Sequence, residues 1–236
     1  MSHLKGDLRE GQRLGRKRAL GRAGLIALSA LAGILGPVEL AIVNGLAASS
    51  IPQYNPVVQT ISVLGLGPLG WIQTVGFWVF SLMLIIWALG LYLTIRGGRV
   101  LMLRSGVACI IIMSIGFGLT GTFQTDPPGV PHTLHYKVHM GSAIVSVMLF
   151  PFACFFLAFA FKDDPRWRGM FAYTLTTGIL TAGVALLQSG SPSEGALAGL
   201  HEYILLANAL LWLEIMSVWM LKSARRKLDV QEEMHS

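Results

Sequence analysis

Six long apolar blocks limit the fold of this chain more than any other feature of its sequence. A helix that crosses the hydrocarbon core of a bilayer needs about 20 predominantly apolar residues. Blocks close to that length cover residues 24–48, 71–95, 105–123, 141–161, 170–187 and 200–221. Charged residues make up 13% of the chain, whereas a soluble domain carries about 25%. The sequence therefore predicts an all-α polytopic membrane bundle with six transmembrane helices.

The basic residues fall on one side of this six-span topology. Of the 18 lysines and arginines, 17 lie in the two terminal tails and in the loops after the second and fourth spans, and only Lys137 lies on the other side. Lysine and arginine concentrate in cytoplasmic segments, so both termini are predicted to be cytoplasmic. The predicted organisation is a basic cytoplasmic tail at 1–22, a six-helix transmembrane domain at 23–223 and a cytoplasmic tail at 224–236.

The expected partners follow from the same distribution of charge. The net charge of +6 comes from residues that flank the spans, which argues against nucleic-acid binding. We expect contact with the lipid bilayer and, at the basic tails, with anionic lipid headgroups. The first block contains Glu39 and Asn44 and is longer than the apolar region of a signal peptide, so it is expected to be retained as a helix.

Polar side chains gather on the predicted outer side. Four of the six histidines lie there, together with Asp126 and Glu202 in the loops and helix ends. Glu39 lies in the outer half of the first span, about 22 Å along the helix from its start. Because ionisable groups within a membrane are functional candidates, the candidate catalytic residues are Asp126, Ser62, Glu39 and Glu202. The bland alternatives are that Ser62 caps a helix and that Asp126 caps a turn.

A histidine pattern favours a metal site at this side. Spacings of three and four residues place His132, His135 and His139 on one helical face. Imidazole is a common metal ligand, so His135, His139 and His201, with a carboxylate, are candidate ligands for zinc or another divalent ion. Such an ion would activate water, which indicates a metal-dependent hydrolase that acts on a lipid or another amphipathic molecule. The alternative is that these imidazoles only form hydrogen bonds in the interface.

Two further functions remain open at this point. His139 and His201 begin the fourth and sixth spans, so the pair could ligate haem b in an electron-transfer protein. Glu39 and Glu214 instead suit a non-enzymatic role, as a transporter or an assembly subunit, although the chain lacks the inverted repeat of many transporters.

The polar groups are expected to converge rather than to face lipid one by one. Charged and imidazole groups at helix ends gather where water reaches a protected cleft. We therefore expect Asp126, His135 and His139 in one outward-opening cavity. The first outer loop has no charge and is apolar enough to fold back over the bundle as a short re-entrant or surface helix, which would bring Ser62 to the rim.

Three motifs carry a resemblance to a known family. They read YNPVVQTISVLG from Tyr54, GTFQTDPPG from Gly121 and TLHYKVH from Thr133. Together they resemble a bacterial family of six-helix membrane proteins called domain of unknown function 998, over nearly the whole chain. The resemblance implies a six-helix fold in the bacterial inner membrane and no established activity.

Single positions refine this resemblance. It implies that Ser62, Asp126, His135 and His139 match polar positions of the family, whereas His132 matches none. Gln124 and Tyr203 depart from the family pattern, where proline and arginine respectively are expected.

The predicted orientation can be tested with a reporter that is active only in the cytoplasm. Fused to the C-terminus, the reporter should be active, because 17 of the 18 basic residues lie on the side of the tails. Activity of the fusion in intact cells is the measurement. An inactive fusion that is produced at a normal level would contradict the topology.

Overall fold

The computed structural model describes the backbone of residues 2–95, 97, 99–127, 129–189 and 197–233, and side chains between residues 20 and 223 within these ranges, apart from residue 189. This part of the chain is all-α and contains no strand. Apart from Arg22, the basic side chains of the two tails lie outside the described residues, so the contact of the tails with headgroups stays a prediction.

The described residues form six long helices, each long and apolar enough to cross a membrane. The predicted six-span fold is confirmed. The helices are α1 (Ser2–Ser49), α2 (Gly70–Thr94), α3 (Val100–Thr122), α4 (Leu134–Lys162), α5 (Phe171–Ser189) and α6 (Ala198–Glu233). Two short 3₁₀ helices, Ile61–Leu66 and Arg168–Met170, lie in the loops. Helix α4 begins before the predicted span, so His135 and His139 both lie on helix.

The helices form a closed ring in which each packs against the next and α6 returns to α1. Lipid tails are as apolar as leucine, so membrane helices associate through close packing of small residues. A Cβ at Gly90 of α2 would overlap Ser29 of α1, and one at Gly116 of α3 would overlap Ser146 of α4. These glycines therefore set the close approach of neighbouring helices.

Aromatic side chains fill the middle of the ring. The indole of Trp212 on α6 is fully buried and lies edge-on to Trp87 of α2, with ring centroids 5.5 Å apart. Phe150 of α4 contacts the same indole edge-on at 5.4 Å. This aromatic cluster joins three helices at the centre of the bundle.

A buried carboxylate organises the end of the bundle that carries the loops at 95–99 and 163–167. Asp164 is 1% exposed and accepts hydrogen bonds from the backbone N–H and the guanidinium of Arg166, at 2.9 and 3.0 Å. It also accepts from the N–H of Gly97 at 3.3 Å. The Arg166 carbonyl accepts from the indole of Trp219 on α6 at 2.9 Å. Asp164 therefore ties two loops and α6 together.

Removal of the Asp164 charge should destabilise the bundle. We expect Asp164→Asn to lower the free energy of unfolding by about 2–4 kcal/mol, because it leaves buried donors and a guanidinium without their acceptor. The neighbouring Asp163 pairs with Arg99 at 3.3 Å on the surface. Asp163→Asn is therefore the matched control and should cost about 1 kcal/mol or less. Thermal unfolding of the detergent-purified proteins compares them, and equal losses would contradict this role of Asp164.

Candidate functional site

A cavity of about 860 Å³ opens at the opposite end of the bundle, beneath the loops at 50–69 and 123–133. We call this end the site end. The upper walls of the cavity carry polar side chains, among them Ser62, Gln124, Asp126, His139 and Glu202. Its lower walls are apolar and include Leu84, Met113, Phe150, Trp212 and Leu213. The cavity is thus amphipathic along its length, polar at the mouth and apolar in the bundle.

The central contact of the polar part joins Ser62 to His139. The Ser62 hydroxyl oxygen lies 3.0 Å from Nε2 of His139, which is buried. The other ring nitrogen, Nδ1, lies 2.7 Å from the carbonyl oxygen of Phe123 and 3.0 Å from that of Thr120. Carbonyl oxygens only accept, so Nδ1 carries the proton in the neutral ring. Nε2 then has the free lone pair, and the Ser62 hydroxyl donates to it.

His139 lies at the end of α3, where backbone carbonyl groups lack hydrogen-bond donors. The last carbonyl groups of a helix have no partner within it. Thr120 lies in the last turn of α3 and Phe123 directly follows the helix. The imidazole of His139, in the second turn of α4, satisfies one of these terminal carbonyls and the carbonyl that follows. This double contact fixes both the tautomer and the rotation of the ring.

Ser62 lies in the 3₁₀ helix Ile61–Leu66. The first residue of this helix, Ile61, is held through both its N–H and its carbonyl group. The N–H of Ile61 donates to Oε2 of Glu202 at 2.6 Å, and its carbonyl accepts from the side-chain amide of Gln73 at 3.0 Å. The same amide donates to Asn44 of α1 at 3.1 Å. Oε1 of Glu202 lies 3.5 Å from the Ser62 hydroxyl, a long contact. Glu202 of α6 therefore caps the short helix and orients Ser62.

Two tyrosines connect the loop at 50–69 to α6 through a hydrogen bond. The Tyr54 hydroxyl lies 3.2 Å from that of Tyr203 and within 3.1–3.2 Å of the carbonyl oxygens of Gln59 and Thr60. Burial, followed by the contact with Tyr203, raises the pKa of Tyr54 above its ordinary value, so the phenol stays a neutral donor. Tyr203 thus anchors the loop to α6.

Gly199 permits the closest approach of this loop to α6. The N–H of Leu200 donates to the Val57 carbonyl at 3.0 Å. A Cβ at Gly199 would overlap the carbonyl oxygens of Pro56 and Gln59. Only glycine fits here without a shift of the loop that carries Ser62.

Asp126 shapes the start of α4. Its carboxylate accepts from the backbone N–H of Thr133 at 2.6 Å and from the Thr133 hydroxyl at 2.8 Å. The backbone N–H of Thr133, more than its hydroxyl, holds the pKa of Asp126 below its usual range. Thr133 is itself the N-cap residue and accepts from the N–H of Tyr136. Asp126 also lines the cavity, so it combines the capping contact with a position at the mouth.

Three of the sequence candidates, His135, His201 and Glu39, lie outside the cavity, whereas His132 lines it. His135 is exposed with its ring edge against Phe123, and His132 stacks on Tyr136 at 3.8 Å between centroids. Neither His201 nor Glu39 lines the cavity, although each has a buried side-chain atom without a hydrogen-bond partner, Nδ1 and Oε2 respectively. The expected convergence is therefore corrected: the structure brings Asp126, His139 and Ser62 together and adds Glu202, and His135 remains outside.

This arrangement gives no support to the metal and haem hypotheses. Among the residues that the structure describes, no group of three or more histidine, cysteine, aspartate or glutamate side chains could hold a metal ion. The proposed ligands His135, His139 and His201 do not share the cavity. Both nitrogens of His139 already contact protein atoms, so the ring is not prepared to ligate zinc or haem iron.

Sequence reasoning missed the residues that position the pair. Gln73, Thr120 and Phe123 contribute through an amide and two carbonyl groups and were not candidates. Tyr54 and Tyr203 were not candidates either. Gln73 carried a usable signal, because an uncharged polar side chain in an otherwise apolar span usually bonds across helices. Backbone carbonyls leave no such signal in a sequence.

These features define a polytopic α-helical membrane protein with a serine–histidine pair at the polar end of an internal cavity. The chain belongs to the family described as a protein of unknown function, DUF998, whose model matches residues 34–219. The resemblance seen in the sequence motifs is thereby confirmed. Neither a curated protein nor a solved structure matches the chain.

Substitution of Gly199 should displace the loop at 50–69. In Gly199→Ala the new methyl group would overlap two carbonyl oxygens, so we expect faster hydrogen exchange over residues 54–66. Gly141→Ala is the matched control, because a Cβ at Gly141 meets nothing within 4 Å. Hydrogen exchange measured by mass spectrometry compares the two variants. Unchanged exchange in Gly199→Ala would contradict the contact.

Proposed function

We propose that this protein is a membrane-embedded serine hydrolase that cleaves an ester or amide bond in an amphipathic lipid. The observation that carries the proposal is the 3.0 Å contact between the Ser62 hydroxyl and Nε2 of His139. A nucleophile and a base within hydrogen-bond reach, with the base oriented by a third group, are the arrangement that acyl transfer to serine requires.

The proposed reaction proceeds in two balanced steps. The Ser62 oxygen attacks the substrate carbonyl carbon while its proton moves to Nε2 of His139. The bond to the leaving alcohol or amine breaks, and His139 returns the proton to that group. Water then attacks the acyl-serine ester, with His139 as base, and the products are a carboxylic acid and free Ser62.

The carbonyl oxygens of Thr120 and Phe123 take the orienting role in this scheme. They hold the Nδ1 proton and stabilise the imidazolium that forms during attack, by dipoles rather than by a full charge. Neutral acceptors stabilise a cation less than a carboxylate does, so we expect a modest turnover rate. Glu202 is a positioning residue, because it accepts the hydrogen bond of the Ile61 N–H, directly before Ser62.

The cavity supports an amphipathic substrate without a negative charge beside the scissile bond. Its polar mouth suits a carbonyl and a headgroup, and its apolar lower walls suit a hydrocarbon chain. No lysine or arginine lines the cavity within the described part of the chain. Since an anionic group beside Ser62 would find no cationic partner, we expect an uncharged lipid, such as a monoacyl or diacyl glyceride, to be preferred.

A fluorophosphonate probe, which labels activated serines, tests the proposal. The purified protein should be labelled at Ser62 and should release fatty acid from a diacylglycerol in detergent micelles. Ser62→Ala should abolish both signals, and His139→Gln should reduce the rate about 10²- to 10⁴-fold because the base is lost. Ser50→Ala is the control, since Ser50 lies in the same loop, outside the cavity, and bonds only to the Ala47 carbonyl.

Two results would overturn the hydrolase. One is a folded wild type that neither reacts with the probe nor turns over uncharged lipid esters or amides. The other is a His139→Gln variant that keeps the full rate. Elution as a single species and an unchanged thermal midpoint establish that each variant is folded. Retained binding of diacylglycerol without turnover would favour the non-enzymatic alternative, a binding or transport role for the same cavity.

A further inference from the structure

The α4 wall of the cavity contains two residues that are also exposed. Ile144 and Met148 line the cavity and are 54% and 43% exposed. Deeper lining residues such as Met113 and Phe150 are 6% and 3% exposed. Along α4, the two exposed residues lie about 7 and 14 Å beyond His139. The wall is therefore one side chain thick at these two positions, at a depth where the surroundings are hydrocarbon.

The packing of α4 against α5 places the cavity behind this thin wall. The two helices lie close together at Gly178, where a Cβ would lie 2.8 Å from Cβ of Cys154 and 3.3 Å from the carbonyl oxygen of Pro151. From that level toward the site end, Thr181 and Ala185 of α5 line the cavity. The cavity thus separates α4 from α5 on the site side of Gly178.

We propose that the α4 wall parts at Ile144 and Met148 and admits one acyl chain of a lipid from the surrounding leaflet, which then lies along α4 with its carbonyl group beside Ser62. Phe150 lies about 16 Å beyond His139 along the helix. Half the hydrocarbon core of a bilayer measures about 15 Å. A chain that starts at the polar boundary of one leaflet therefore matches the depth of the cavity, and it can enter without leaving the hydrocarbon.

The aromatic cluster forms the floor of this chamber. Trp212 and Phe150 both line the cavity and contact each other edge-on. Trp87 supports the Trp212 indole from the far side. The buried rings of this floor cannot move aside without a loss of packing. The depth of the cavity therefore limits the acyl chain to about the length of one leaflet. The assignment of this lipid as the substrate rests on the proposed hydrolase function, whereas occupancy of the chamber does not.

Photo-crosslinking in a bilayer tests the proposal. Ser62→Ala protein, which cannot react, is placed in phosphatidylcholine nanodiscs that contain a diacylglycerol with a diazirine at the end of one chain. After irradiation, mass spectrometry should find the label on floor residues, Met113, Phe150 or Trp212. Addition of Ile144→Trp, which enlarges the side chain at this point of the wall, should reduce floor labelling to background. Ile144→Phe provides a smaller plug if the tryptophan variant does not fold.

The matched control is Ile115→Trp. Ile115 lies on α3 and is 53% exposed, close to the exposure of Ile144, but it does not line the cavity. This variant should leave floor labelling unchanged. Labels confined to outward-facing residues such as Ile112, or floor labelling that persists in both Ile144 variants, would overturn the side entry.

The same experiment separates this inference from the proposed function. If Ile144→Trp blocks floor labelling but the wild type hydrolyses no lipid, the acyl-chain site is supported and the hydrolase function is contradicted. If the wild type hydrolyses short-chain esters but no floor residue is labelled, the hydrolase function is supported and the acyl-chain site is contradicted.

Discussion

The site of this protein depends on the need to satisfy backbone hydrogen-bond groups where helices end at the membrane boundary. Within hydrocarbon no water can serve these groups, and every helix end leaves several of them without an internal partner. At the site end, His139 serves the carbonyls of Thr120 and Phe123, and Glu202 serves the N–H of Ile61. The side chains that complete the helix ends are thus the ones that form the polar site.

This origin explains why the serine–histidine pair is well oriented although it lies partly on a loop. The peptide before Ser62 is held by Gln73 of α2 and Glu202 of α6, and the histidine by the end of α3. Each support comes from a different helix of the ring. A shift of any one of these helices would therefore change the contact between Ser62 and His139. The contact is thus sensitive to what occupies the cavity between the helices.

The histidines show how far sequence reasoning reaches. Spacings of three and four residues grouped His132, His135 and His139 on one helical face, but His132 lies in the loop before α4, which begins at Leu134. A helical face is also broad. Only His139 is buried and meets the end of α3, whereas His135 stays exposed against Phe123. The rotation of α4 is set by its packing, where Gly116 receives Ser146, and no local pattern around the histidines encodes it. Glu202, by contrast, was a candidate from its position alone. The backbone N–H of Ile61, which donates to Glu202, was not a candidate.

The sequence by itself determined the six spans, the all-α class and the end of the bundle where polar residues gather. It could do so because the bilayer imposes a length and an apolar composition on every span separately, and because charged residues are rare within the spans. The tertiary structure decided which polar groups meet, that both nitrogens of His139 contact protein atoms, and that Ile144 and Met148 both line the cavity and are exposed. These features arise from the rotation and spacing of neighbouring helices, which depend on side-chain packing between segments distant in the chain.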